Sequence, residues 1–200
     1  MKQINITRDS SGNVTFEEVS IDVTENVFFT NLDTQAAHWP YLAFCDNQIG
    51  PAPSPNSSQC TVVQQPPIFQ FRYGCKLHDN ERGIINVYPQ LAAVNQALTP
   101  APVPVNKPLV KPVQVVSGGK SPYTITGQLF QVTDDEGKVI DSGSGVGPGL
   151  QLIPDQQKNG GITIAGTPTV VGKYQFTFTV NDGLGGNLQQ NQYSIQVTSS

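Results

Sequence analysis

The run Lys173-Tyr-Gln-Phe-Thr-Phe-Thr-Val-Asn-Asp182 places Tyr174, Phe176, Phe178 and Val180 at alternate positions, and Tyr193, Ile195 and Val197 repeat the pattern. Period two is the signature of a strand with one buried face, because successive side chains point to opposite sides. Shorter alternating runs recur along the chain: Gln3–Arg8, Val14–Val23, Val27–Asn31, Ile68–Cys75, Gly83–Tyr88, Val113–Ser117, Tyr123–Thr133 and Gly161–Gly166. Only 13% of the 200 residues are charged, while 19 Gly and 16 Pro punctuate the runs. That composition leaves little for long helices, and the fold class expected is all-β, as two β-sandwich domains. A weak helical tendency over Leu91–Leu98 is left open. Residues 46–59 are too rich in Pro, Ser and Asn to suggest regular structure.

The domains are divided by TPAPVPVNKPLVKP, residues 99–112, with Pro at 100, 102, 104, 108 and 112. Proline fixes φ and removes a donor, so the stretch reads as an extended connector. The expected organisation is a domain over 1–98, a linker over 99–108 and a second domain over 109–200. Chemistry is confined to the first part: both histidines, the single Trp and all three cysteines precede residue 99. The net charge of −4 and scattered basic residues exclude nucleic acid as a natural partner. No hydrophobic run approaches a membrane span, so a soluble mature chain is expected. The start MKQINITRD carries no apolar signal core, and any export signal is expected to have been removed or never present.

Cys45 and Cys60 bracket the Pro-rich segment. A bridge between them would close 16 residues and contribute roughly 3 kcal/mol in the chain-entropy model. It would imply an oxidising compartment; the alternative is a pair of free thiols. Cys75 is then unpaired, at the inward end of the strand that carries Phe69, Phe71 and Tyr73, and three residues before His78. Thiolate with imidazole suits copper or zinc. His38, in the loop after Asn31, is the only other histidine. The alternative is a core thiol and two ordinary polar histidines.

At these residues the chain resembles a family. Residues 1–90 are similar to the cupredoxins, the small blue-copper β-sandwich proteins with a Greek-key fold. The matching features are Asn31-Leu-Asp33 ahead of His38, and Tyr73, Cys75, His78 and Gly83 in a short amicyanin- or plastocyanin-type ligand loop. The resemblance implies one copper ion held by His38, Cys75 and His78, with zinc as a possible substitute. The family's axial Met falls at Glu81, and the only Met here is Met1. A carboxylate there would bind more tightly, favour Cu(II) over Cu(I) and lower the reduction potential. Otherwise Glu81 is a solvated loop carboxylate paired with Arg82 or Lys76, and Asp79 is a lesser substitute ligand.

Residues 109–200 resemble the immunoglobulin-like, cadherin-like modules of bacterial surface proteins. The run Gly147–Leu152, Gly161–Thr169, Gly172–Asp182 and Tyr193–Val197 carries that resemblance. Asp134, Asp135, Glu136 and Asp182 read as exposed acidic turns rather than a calcium cluster. The function expected is a copper-binding protein outside the cytoplasm (secreted, periplasmic or at the cell surface) that transfers electrons or holds copper. It would work with a redox or copper-exchange partner, and a small redox enzyme ranks last among the readings. The alternative is a cell-surface adhesion or binding protein with a structural zinc or vestigial site, the second domain meeting a surface ligand.

Overall fold

The computed structural model describes residues 2–42, 45–46, 48–50, 57–60, 70–98, 101–156 and 160–199. All regular structure among them is strand, in two compact units, Met1–Pro89 and Gln90–Ser200. Among the described residues, no helix is long and apolar enough to cross a membrane. Each unit is a β-sandwich of one four-stranded and one five-stranded sheet.

The first unit contains β1 (Lys2–Arg8), β2 (Val14–Phe16), β3 (Val19–Asp22), β4 (Val27–Asn31), β5 (Pro40–Leu42), β6 (Cys45–Asp46), β7 (Ser57–Cys60), β8 (Gln70–Cys75) and β9 (Arg82–Tyr88). The sheet orders are β2-β1-β4-β7 and β3-β9-β8-β5-β6. β1 runs parallel to β4 with Ile4 opposite Phe29, and β3 runs parallel to β9 with Ile21 opposite Val87. Ile4, Ile6, Phe16 and Phe29 of one sheet meet Val19, Ile21, Tyr73, Ile85 and Val87 of the other in one core. The Tyr73 ring spans the interface, edge-on to Phe29 at 5.0 Å and to Phe16 at 5.6 Å.

Val14–Val23 is not one strand. It breaks at Glu17-Glu18 and crosses from sheet to sheet, because Phe16 and the pair Val19 and Ile21 lie out of phase in the alternation. Within the stretch expected to be irregular, β7 pairs with β4, Val27 opposite Cys60. The side chains of Cys45 and Cys60, and Phe69 entirely, lie outside the described residues, so the disulfide remains a sequence expectation.

The second unit contains β10 (Ala92–Ala93), β11 (Val103–Pro104), β12 (Val113–Ser117), β13 (Thr124–Thr133), β14 (Val139–Ser144), β15 (Leu150–Pro154), β16 (Ile162–Gly166), β17 (Gly172–Asn181) and β18 (Asn187–Thr198). The orders are β10-β12-β16-β15 and β11-β18-β17-β13-β14. The division between units thus falls earlier than the prolines suggested. β10 replaces the weak helix and pairs with β12, while β11, inside the expected linker, pairs with β18. An edge strand tolerates proline, whose missing N–H can face away from the ladder. Tyr174, Phe176, Phe178 and Val180 are all buried, as the alternation required. Phe178 stacks on Tyr193 at 5.0 Å, and the Tyr193 hydroxyl donates to the Val115 carbonyl of the opposite sheet at 2.7 Å.

The acidic residues here organise turns. Asp182 Oδ1 accepts from Leu184 N and Gly186 N, and Asp134 Oδ1 accepts from Glu136 N and Lys138 N. The two turns sit at opposite ends of the β13–β17 pairing, which runs from Thr124 opposite Asn181 to Thr133 opposite Lys173. They cannot share an ion.

Candidate metal centre

The last residue of β4 organises the loop that carries His38. Asn31 is buried, and its Nδ2 donates to the carbonyls of Ala36 (2.8 Å) and Gly50 (3.0 Å). Its Oδ1 accepts from Asp33 N at 2.9 Å. Asp33 Oδ1 in turn accepts from Gln35 N at 2.8 Å, an Asx turn that reverses the chain. His38 then exchanges backbone hydrogen bonds with Ile49, at 3.0 and 2.8 Å. The imidazole is wholly buried, its ring edge-on to Phe16 at 5.8 Å.

The other side is the β8–β9 hairpin. Pro40 of β5 is the register partner of Cys75, and Lys76 N donates to the Trp39 carbonyl. This draws the end of β8 against the chain just after His38. The loop closes on itself, with Cys75 N donating to Glu81 O and Glu81 N to His78 O, each at 3.2 Å. Gly83 is needed below it: a Cβ there would run into the Tyr73 ring. With that space open, the Tyr73 hydroxyl reaches the Glu17 carbonyl at the sheet crossing, at 3.2 Å.

Four donors converge as a result. One ligand atom from each of His38, Cys75, His78 and Glu81 lies within 4.8 Å of all the others. His38 Nδ1 is 2.9 Å from Glu81 Oε2, His78 Nδ1 is 3.1 Å from the same oxygen, and Cys75 Sγ is 3.4 Å from His78 Nδ1. A tetrahedron of metal bonds of roughly 2.0–2.3 Å has donor separations near 3.3–3.8 Å, so small adjustments would admit an ion. Glu81 faces the two histidines and not Arg82 or Lys76, as the solvated-carboxylate alternative required. Asp79 is outside the cluster.

The charges at the cluster are ones that a divalent ion could balance. Burial pushes the Cys75 thiol up, opposed by the hydrogen bond from Trp39 N at 3.2 Å, and Glu81 adds to the rise. A thiolate beside a carboxylate at this partly buried place is costly without a cation, and a 2+ ion would balance both charges. Asp33 does not add to that deficit. Arg8 clamps its Oδ2 from Nε at 3.0 Å and Nη2 at 2.7 Å, and this guanidinium holds the carboxyl well below the usual carboxylate range. The same oxygen lies 2.9 Å from His38 Nε2. With Nε2–H donated to Asp33, His38 keeps an Nδ1 lone pair for the cluster, the arrangement in which a carboxylate orients a metal-binding imidazole.

The sequence pointed to all four donors but not to the Arg8–Asp33 pair behind them. Asn31-Leu-Asp33 stands ahead of His38 in the chain, but nothing local marks Arg8, since its role depends on β1 lying beside β4.

No family model matches the chain, and no curated protein matches it. Solved structures similar to it include a three-immunoglobulin-domain fragment of titin, with 11% identity and a TM-score of 0.43, covering 93% of this chain and 64% of the fragment. Fibronectin(III)-like modules of Clostridium thermocellum CbhA give 14% identity and a TM-score of 0.29, covering 97% and 94%. The sialic acid binding region of a Streptococcus sanguinis adhesin, bound to 3'sLn, gives 12% and 0.22, covering 94% and 77%. Similarity at this level carries no functional argument.

Proposed function

We propose that the first sandwich is a cupredoxin-like module that binds one copper ion through His38, Cys75, His78 and Glu81, transferring electrons or holding copper outside the cytoplasm. The convergence of those four donor atoms within 4.8 Å carries the reading. Copper would supply a one-electron couple, tuned by the ligand that stands where the resemblance places methionine. The chain's own part is to fix His38 through Asp33, to keep the thiol among apolar side chains, and to hold Glu81 between the histidines. With two anionic donors in place, removing one positive charge from the ion leaves a net negative, partly buried site. The oxidised state is therefore favoured and the potential lowered.

Titration with Cu(II) is expected to give intense thiolate-to-copper absorption, absent in Cys75→Ser. Loss of one of four ligands should weaken binding by about 100-fold or more. Glu81→Met should raise the potential and move the spectrum toward that of blue copper; an unchanged spectrum would remove Glu81 from the ligand set. A second reading follows from the closed four-residue donor set, which also suits structural zinc. On that reading the chain is a cell-surface binding protein whose metal only braces the fold. A protein that stays colourless with copper and retains zinc would decide for it.

A further inference from the structure

The outer face of the β3-β9-β8-β5-β6 sheet bears a feature the metal reading does not use. Gly74 on β8 is flanked in register by Tyr41 on β5 and Arg82 on β9. Arg72 lies two residues back along β8, on the same face by strand alternation. A Cβ at Gly74 would collide with the Arg82 guanidinium, which therefore lies across bare backbone. The outcome is an open groove of about 740 Å³ whose lining includes Tyr41, Arg72, Gly74, Arg82 and Ile84.

Both arginines are exposed, and neither has an ion-pair partner among the described residues. A third cation stands at the Tyr41 end, where the Lys76 ammonium lies 4.5 Å from the Tyr41 ring centre and 4.9 Å from that of Trp39. Residues 1–89 carry five basic side chains against nine acidic ones. Of the five, Arg72, Lys76 and Arg82 lie on this face, and Arg8 is held by Asp33. Glu81 is turned away toward His38 and His78.

We infer that this groove docks a carboxylate-bearing segment of a partner protein. Two guanidinium forks beside an aromatic ring match paired carboxylates, which they bind bidentately. A local cationic patch on an acidic body steers an acidic segment while the rest of the surface repels extended polyanions, which disfavours nucleic acid and anionic membranes. Gly74 directly precedes Cys75, and Arg82 directly follows Glu81. A partner seated here would therefore lie one residue from two of the proposed ligands, although the docking itself requires no metal.

The full chain, isotope-labelled and metal-free, would be titrated with a hexaglutamate peptide at low ionic strength and followed by NMR. Amide shifts should centre on Arg72, Gly74, Arg82 and Ile84 and fade as salt is added. The double variant Arg72→Gln/Arg82→Gln should bind about ten-fold more weakly or worse, with its remaining spectrum showing an intact fold. Lys107→Gln, in the second unit, should bind as the parent does. Shifts absent or spread evenly, an unchanged affinity in the double variant, or tighter binding of a polynucleotide or a phosphatidylserine vesicle would each overturn the inference. Loss of the copper absorption would leave it standing, since the titration contains no metal.

Discussion

The two sandwiches share an architecture of four plus five strands and differ in what they bury. Among the described residues, the buried polar or charged side chains are Asn31, Asp33 and His38, all in the first unit. The second unit fills its centre with Tyr174, Phe176, Phe178, Tyr193 and aliphatic side chains, and the Tyr193 hydroxyl finds a carbonyl. Burying an imidazole, a carboxylate and an amide costs free energy that apolar packing would not. In the first unit that cost is offset by complete pairing: no buried side-chain nitrogen or oxygen among the described residues lacks a hydrogen bond. One sandwich is organised around its stability, the other around a group of donors.

The largest break in the comparison should come from Phe178→Ala, which removes the ring stacked on Tyr193. It should cost the second unit about 3–5 kcal/mol and leave intact the copper absorption proposed for the first. Calorimetry with parallel spectroscopy reads both. Next, Cu(II) at a hundred times its dissociation constant should stabilise the first unit by about 2.7 kcal/mol and the second by nothing measurable. Chelation should reverse the shift. Asp33→Asn should then weaken metal binding by roughly 10–100-fold, and nitrogen NMR should show His38 no longer held as the Nε2–H form. A weakened affinity with that tautomer unchanged would make Asp33 merely structural.

The smallest effect concerns alkaline pH. Burial pushes Tyr193 up to about 12 from its ordinary 10.0. The unfolded chain therefore gives up this proton first, so the stability contributed is complete below pH 10.0 and lost as pH rises through about 12. Tyr193→Phe should flatten that decline in the second unit while costing about 1 kcal/mol at neutral pH. Chemical denaturation across the window measures it.

Most of this comparison was open to reading before the fold was known. The alternation of Tyr174, Phe176, Phe178 and Val180 announces a one-sided strand whatever surrounds it. Cys75 and His78 share one short loop, so their proximity is local. The sheet crossing at Glu17-Glu18 was also written in the chain, as the change of phase between Phe16 and Val19. Other features are properties of pairing and leave no local trace. Ser57–Cys60 is a strand because β4 offers it an edge, and Val103–Pro104 because β18 does. Arg8 meets Asp33 across 25 positions. The prolines of 99–112 mark a change in the chain's character, yet the boundary follows the pairing of β10 with β12.

The parallel pairing of β3 with β9 also sets an order of events. Val19 must find Ile85, and Asp22 must find Tyr88, before the second sheet is complete. Such distant pairing forms late, since the closure entropy comes before the contacts that offset it. On a ribosome, His38 would emerge first, and Cys75, His78 and Glu81 would follow together in one short loop that meets it only when β5 pairs with β8. Until then the loop donors and His38 stay apart, a weak trap for stray metal. On the proposed metal reading, full affinity should therefore arise only in the finished sandwich.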